Sequence, residues 1–218
     1  MPDTSPPGQP WPIGFGATCL RATLYILFIG ALAQGTLLEA QHLTETRFTE
    51  LGFTELAQTT LLAVASALLL YTLLALKQMR TVCLLMFAFV FSSLIREQDA
   101  LLDSRVFDGA WQLIVALVIV PTLAVVIRLR RRFVSEFSRY SNSFSFGLFA
   151  AGVLTTYVFS RLYGRSEMWE AILASDYTRT FKDAAEEVVE LFGYALILIA
   201  VIELTLLARR WALARQVR

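Results

Sequence analysis

Asp183, Glu187, Glu190 and Tyr194 recur at spacings of four, three and four within FKDAAEEVVELFGYALILIAVIELTLLARR, with Glu186 beside them. On a helix these four side chains share one face. The residues around and after Glu190 are apolar enough to lie in hydrocarbon. There an ionisable group costs about 2.5–3.5 kcal/mol unless it is paired or wetted. The stripe is therefore expected to face the interior of a helical bundle. Two chemistries fit it. One is a salt-bridge network that ties helices together. The other is a polar cavity that binds a cation or moves protons, because buried carboxylates often mark such paths. Asp183 has a local explanation, since Thr180 three residues earlier approximates a capping box, T-x-x-D. Glu186 and Glu187 gain from the positive end of the helix dipole. Glu190 lies about 4.5–6 Å deeper, at ~1.5 Å per residue, and has no local reason to be there.

Partners are expected at the same depth. The apolar run Thr81–Ile95 is short and ends in REQD, which should hold Arg96 and Glu97 at the outer boundary. Arg96 is expected to pair with Glu187 or Glu190, and Arg161 ends another run at a similar level. Glu39, Gln41 and His42 close the first apolar run, Glu55 and Gln58 open the second, and Asp108 and Gln112 open the fourth. The candidate cation- or proton-binding residues are thus Glu190, Glu187, Glu186, Arg96, Glu97, Glu39, Glu55 and Tyr194. His42 is the one histidine, which argues against multi-histidine metal centres. With Glu39 and Glu55 it forms a less specific candidate for a divalent cation, and oxygen-rich ligands suit Ca²⁺, Mg²⁺ or Mn²⁺. Glu203 stands apart near the far end of the same run, and Arg210 is expected to pair with it.

These residues need elements to position them. Hydrophobic residues make up 56% of the chain, charged residues only 17%, and mean hydropathy is +0.60. That is too apolar for an ordinary soluble domain of 218 residues. The apolar runs match the length that crosses a ~30 Å hydrocarbon core. Six spans are expected, at about 18–39, 55–76, 79–97, 109–127, 143–161 and 183–207. Backbone groups in lipid must be satisfied internally, and no barrel-like alternation occurs, so the fold class is an all-α, six-helix transmembrane bundle. The spans form one domain, 17–208, between a flexible proline-rich tail, 1–16, and a short basic tail, 209–218. Gly147, Ala151 and Gly152 point to close helix packing in the fifth span, and Pro121 to a kink in the fourth.

Orientation follows from Lys and Arg. With the N-terminus inside, 12 basic residues fall on the inner side and 7 on the outer, while 15 of the 18 acids are outer. Both termini are then cytoplasmic, in an integral membrane protein of the inner, cytoplasmic membrane if the source is bacterial. Ala31-Leu32-Ala33 has the form of a signal-peptide cleavage site, but apolar character resumes through Leu38, so an uncleaved span is expected. The inner loop RLRRRFVSEFSRY, 128–140, is basic with interleaved aromatics and is expected near anionic lipid. Nothing further points to nucleic acid. SEMWEAILAS, 166–175, reads as a short surface helix capped by Ser166, with Met168, Trp169, Ile172 and Leu173 on one face. Phe53, Phe107 and Phe181 each precede an acid, then Gln58, Gln112 or Glu187, which hints at three hairpins of one design.

No G-x-S-x-G, Walker loop, H-E-x-x-H or C-x-x-C occurs, so the balance leans away from an enzyme. The leading expectation is a small transporter or channel-like protein whose acidic, outward-facing cavity binds a cation or protons, as a homo-oligomer or with a membrane partner. The first alternative is a non-catalytic membrane subunit or assembly factor with a structural charge network. The second is a metal-dependent, membrane-embedded lipid hydrolase, for which His42 and nearby carboxylates would be the ligands.

Overall fold

Residues 13–42 and 52–216 are described by this computed structural model. They fold as an all-α bundle: α1 Phe15–His42, α2 Phe53–Tyr71, α3 Arg80–Arg96, α4 Asp99–Arg105, α5 Ala110–Arg128, α6 Arg130–Ser141, α7 Phe144–Leu154, α8 Ser160–Tyr163, α9 Ser166–Leu173 and α10 Arg179–Gln216. A π-helical turn, Thr72–Leu76, extends α2, and another, Thr155–Phe159, joins α7 to α8. Five helical stretches are long and apolar enough to cross a membrane, and a sixth is added if α3 and α4 count as one span bent by 64°. The expected third span is the marginal one, because α3 alone has 17 residues.

Helix ends differ from expectation where charged side chains extend a helix past its apolar part. The sixth span starts at Arg179 rather than 183, because Arg179 and Lys182 pair with Asp183, and Lys182 with Glu186. Thr180 is therefore inside the helix, and the T-x-x-D capping box does not form. At the other end α10 runs to Gln216, well beyond 207. Most of the basic loop 128–140 is a helix, α6, with Arg128 ending α5 and Leu129 between the two. Residue 165, not Ser166, precedes α9 as its N-cap. The helix α5 continues through Pro121 from Ala110 to Arg128.

The long helix α10 is the centre of the bundle. Its apolar face, Leu191, Tyr194, Ile197, Leu198, Val201 and Leu204, packs with Leu62 and Leu69 of α2 and with Val82, Met86 and Val90 of α3. Against α7 the approach is closer. A Cβ on Gly152 would sit 2.8 Å from the Gly193 carbonyl oxygen and 3.0 Å from the Ile197 nitrogen, so the two backbones meet only because both positions are glycine. Gly147 faces open space and plays no part in this contact. The π turn after α7 maintains the match to α10. Gly152, Thr156, Ser160 and Gly164 are all buried at steps of four. A straight α-helix drifts about 40° at each such step, and the wider i→i+5 turn takes up that drift.

Two helix starts are closed by carboxylates from other elements. Glu39 at the end of α1 accepts from Thr54 N at 2.9 Å and Thr54 Oγ1 at 2.5 Å, at the start of α2. Glu136 of α6 accepts from Thr81 N at 2.7 Å and Thr81 Oγ1 at 2.5 Å, at the start of α3, and from Arg132 Nε at 2.7 Å. Burial pushes the Glu136 carboxyl up, but the hydrogen bonds from the Thr81 hydroxyl, Arg132 and the Thr81 and Val82 amides outweigh it. The group titrates below its ordinary range.

Candidate functional site

An open cavity of about 570 Å³ lies at the end of the bundle where α3 breaks into α4. Its walls come from the starts of α2, α4 and α10, the end of α3, and α8. It is lined by five carboxylates, Glu55, Glu97, Asp99, Glu187 and Glu190, against two guanidiniums, Arg96 and Arg161.

At its floor Glu190 is buried, with 3% of its surface exposed. Arg161 Nη2 lies 2.7 Å from Glu190 Oε1, and Arg96 Nη2 lies 3.4 Å from Glu190 Oε2. Ser160 Oγ is 3.3 Å from Glu190 Oε1. The expected pairing of Arg96 with α10 is thus present, and Arg161 adds a shorter contact. Arg96 also donates to Glu97 at 3.0 Å and to the Tyr194 hydroxyl at 3.4 Å, while Tyr194 OH donates to Glu97 Oε1 at 2.7 Å. Tyr157 carries the network onward. Its ring lies 5.9 Å below the Arg96 guanidinium, and its hydroxyl is hydrogen-bonded to Ser93. Glu186 pairs with Arg161 and with Lys182.

Glu187 is different. It accepts a 2.9 Å hydrogen bond from Gln58 Nε2, which also reaches the Glu187 backbone oxygen at 3.0 Å. Among the described residues no cation lies within ion-pair distance of this carboxylate. Gln58 is fully buried, and its Oε1 meets no donor among the described residues.

Of the candidates, Glu190, Glu187, Arg96, Glu97 and Glu55 line the cavity, with Glu186 and Tyr194 directly behind them. Glu39 is not in the lining, because it is turned to the start of α2. Asp108 and Gln112 do not line it either, and α5 packs mainly against α3. The side chain of His42 lies outside the described residues, and with it the metal reading on His42, Glu39 and Glu55. Among the described residues no group of three or more His, Cys, Asp or Glu gathers to hold a metal.

Gln58, which the sequence places at this depth, and Ser160, which it does not single out, both contact the acids of α10. Gln58 sits at a position matching Glu187 in the hairpin pattern, and the two bond to each other. Gln112, the third such position, is exposed on α5. At the opposite end of α10, Glu203 pairs with Arg21 Nη1 at 2.7 Å and accepts from Tyr25 OH at 2.5 Å. This corrects the expected pairing with Arg210. A seven-residue step spans about 10.5 Å of helix, whereas Arg21 and Tyr25, one turn apart on α1, reach Glu203 together.

Comparison with protein families, with curated proteins and with solved structures finds no match to this chain.

Proposed function

We propose that this chain is a small polytopic membrane protein whose acidic cavity takes up protons or a cation from the aqueous phase, in a transporter or channel-like role. The observation that carries the reading is Glu187. It is a half-buried carboxylate on the wall of a polar cavity, held by a neutral amide, while its neighbours Glu190 and Glu186 are held by arginine and lysine. A carboxylate at the edge of a span without a cationic partner is costly unless water, a proton or a cation offsets its charge. Arg96 and Arg161 then keep the floor from carrying excess negative charge. The cavity faces the exoplasmic side in this reading, with both termini cytoplasmic.

The test is Glu187→Gln. The amide has the same shape and keeps an acceptor for Gln58, so the variant is expected to fold. Wild-type thermal stability is expected to respond to pH and to added monovalent and divalent cations. In proteoliposomes carrying a pH-sensitive dye, wild type is expected to dissipate an imposed proton or cation gradient faster than empty vesicles. Glu187→Gln should lose both responses. A variant that keeps both would overturn the assignment.

A second reading, a structural membrane subunit, is favoured by the closed set of ion pairs around Glu190. It predicts no flux and no cation response in wild type, with lowered stability in any variant that opens those pairs.

A further inference from the structure

The acidic cavity has a cationic counterpart at the other end of the bundle. An open cleft of about 580 Å³ lies at the corner between α5 and α6, lined by Ile127, Arg128, Leu129, Arg130, Arg131 and Arg132. Arg132 is engaged by Glu136. Arg128, Arg130 and Arg131 are exposed, and among the described residues no acid lies within ion-pair distance of them. This contrasts with the cavity end, where Arg96 and Arg161 are both neutralised. The corner is also anchored to the bundle. Glu136 is bound to the start of α3, Tyr140 is buried, and Phe133 packs on the core. One face of α6 is therefore fixed to the bundle, and its arginines project from a fixed base. Next to them stand exposed apolar side chains: Ile127, 65% exposed, at the end of the span, and Val134 and Phe137 on α6.

We infer that this corner binds the phosphate headgroup of an anionic phospholipid in the adjacent leaflet. Three uncompensated guanidiniums match phosphate in charge and in hydrogen-bond geometry. Ile127 and Leu129 offer the acyl chain an apolar path beside the headgroup, and Val134 and Phe137 insert at the same level, as on an interfacial helix. A free phosphate would use the arginines but not the apolar flank, so the observations favour a lipid. The inference does not depend on what the acidic cavity does.

The protein would be reconstituted in phosphatidylcholine nanodiscs with and without about one quarter phosphatidylglycerol. Retained lipid would be counted by native mass spectrometry, and thermal stability measured in parallel. Wild type should retain phosphatidylglycerol in preference to phosphatidylcholine and melt higher in its presence. Each of Arg128→Gln, Arg130→Gln and Arg131→Gln should weaken that preference by about fivefold, whereas Arg105→Gln at the other end should not change it. A triple variant with undiminished preference would overturn the inference. So would stabilisation of the phosphatidylcholine sample by inorganic phosphate equal to that by phosphatidylglycerol. Because the triple variant could fail to fold, wild type alone supplies a second check. Its preference for spin-labelled phosphatidylglycerol at low salt should fall as sodium chloride is raised, and no preference at low salt would refute the site.

Discussion

Glu190 and Glu187 stand three residues apart on one helix face, yet they meet opposite electrostatic surroundings. Glu190 is held between two guanidiniums from different helices, so its charge is doubly offset. Removing one arginine leaves the other in place. Arg96→Ala or Arg161→Ala alone should each cost about 1–3 kcal/mol, but the double variant should cost clearly more than the sum, because only then is the buried carboxylate stranded. Thermal stability of the four-member cycle in detergent measures this, and strict additivity would show that the two arginines act independently. The stripe itself is legible in the sequence, because its period is local and an acid in an apolar run has to be explained. The partner of each acid is not legible, since that depends on how helices whose paired residues lie 94, 129 or 182 positions apart are rotated against each other. Arg96 is reachable by matching depth, but the Gln58–Glu187 bond and the Arg21–Glu203 pair are not.

At the scale of elements, α2 and α3 are held by carboxylates from other helices at their starts in addition to their apolar packing. Glu136 is the clearest case. Its carboxyl titrates below the ordinary range when folded, so the charged form favours the folded state. That contribution is present above the unfolded carboxylate pKa and is lost as pH falls through the lowered folded value. Wild type is expected to lose stability on acidification into and below the ordinary carboxylate range, while Glu136→Gln should start less stable at neutral pH and lose less. Melting curves from neutral to acidic pH check this, and parallel curves would remove Glu136 from the account. Span positions are legible because hydropathy is additive over a window. Helix ends are not, as Thr180 illustrates. A threonine followed by an acid also fits the middle of a first turn, and the i,i+4 ion pairs Arg179–Asp183 and Lys182–Glu186 extend the helix past it.

For the whole molecule, the two ends of α10 meet different surroundings. One opens into an acidic cavity, and at the other the Arg139 guanidinium of α6 lies 4.6 Å from the centre of a Trp211 ring. Glu190 and Glu203 are 13 residues apart, about 20 Å along the axis, with apolar packing between them. From the basic asymmetry we propose that the acidic end faces outward. Single cysteines at positions 103 and 165 should therefore react with an impermeant maleimide in intact cells, and one at position 135 should react only after permeabilisation. The reverse pattern would invert the molecule and the source of any ion the cavity takes up. The even number of crossings depends on α3 and α4 acting as one bent span. That bend is the part of the architecture least visible in the sequence, because REQD reads equally well as the close of a straight helix.

The cap that Glu136 places on α3 also has a direction in time. Chain synthesis delivers Thr81 fifty-five residues before Glu136, whereas Glu39 is made fifteen residues before the Thr54 that it caps. The α1–α2 hairpin can therefore complete its polar closure as it emerges. The α2–α3 hairpin cannot, and its turn, with Lys77 and Met79 in the left-handed region, stays without its latch until α4, α5 and most of α6 have left the ribosome.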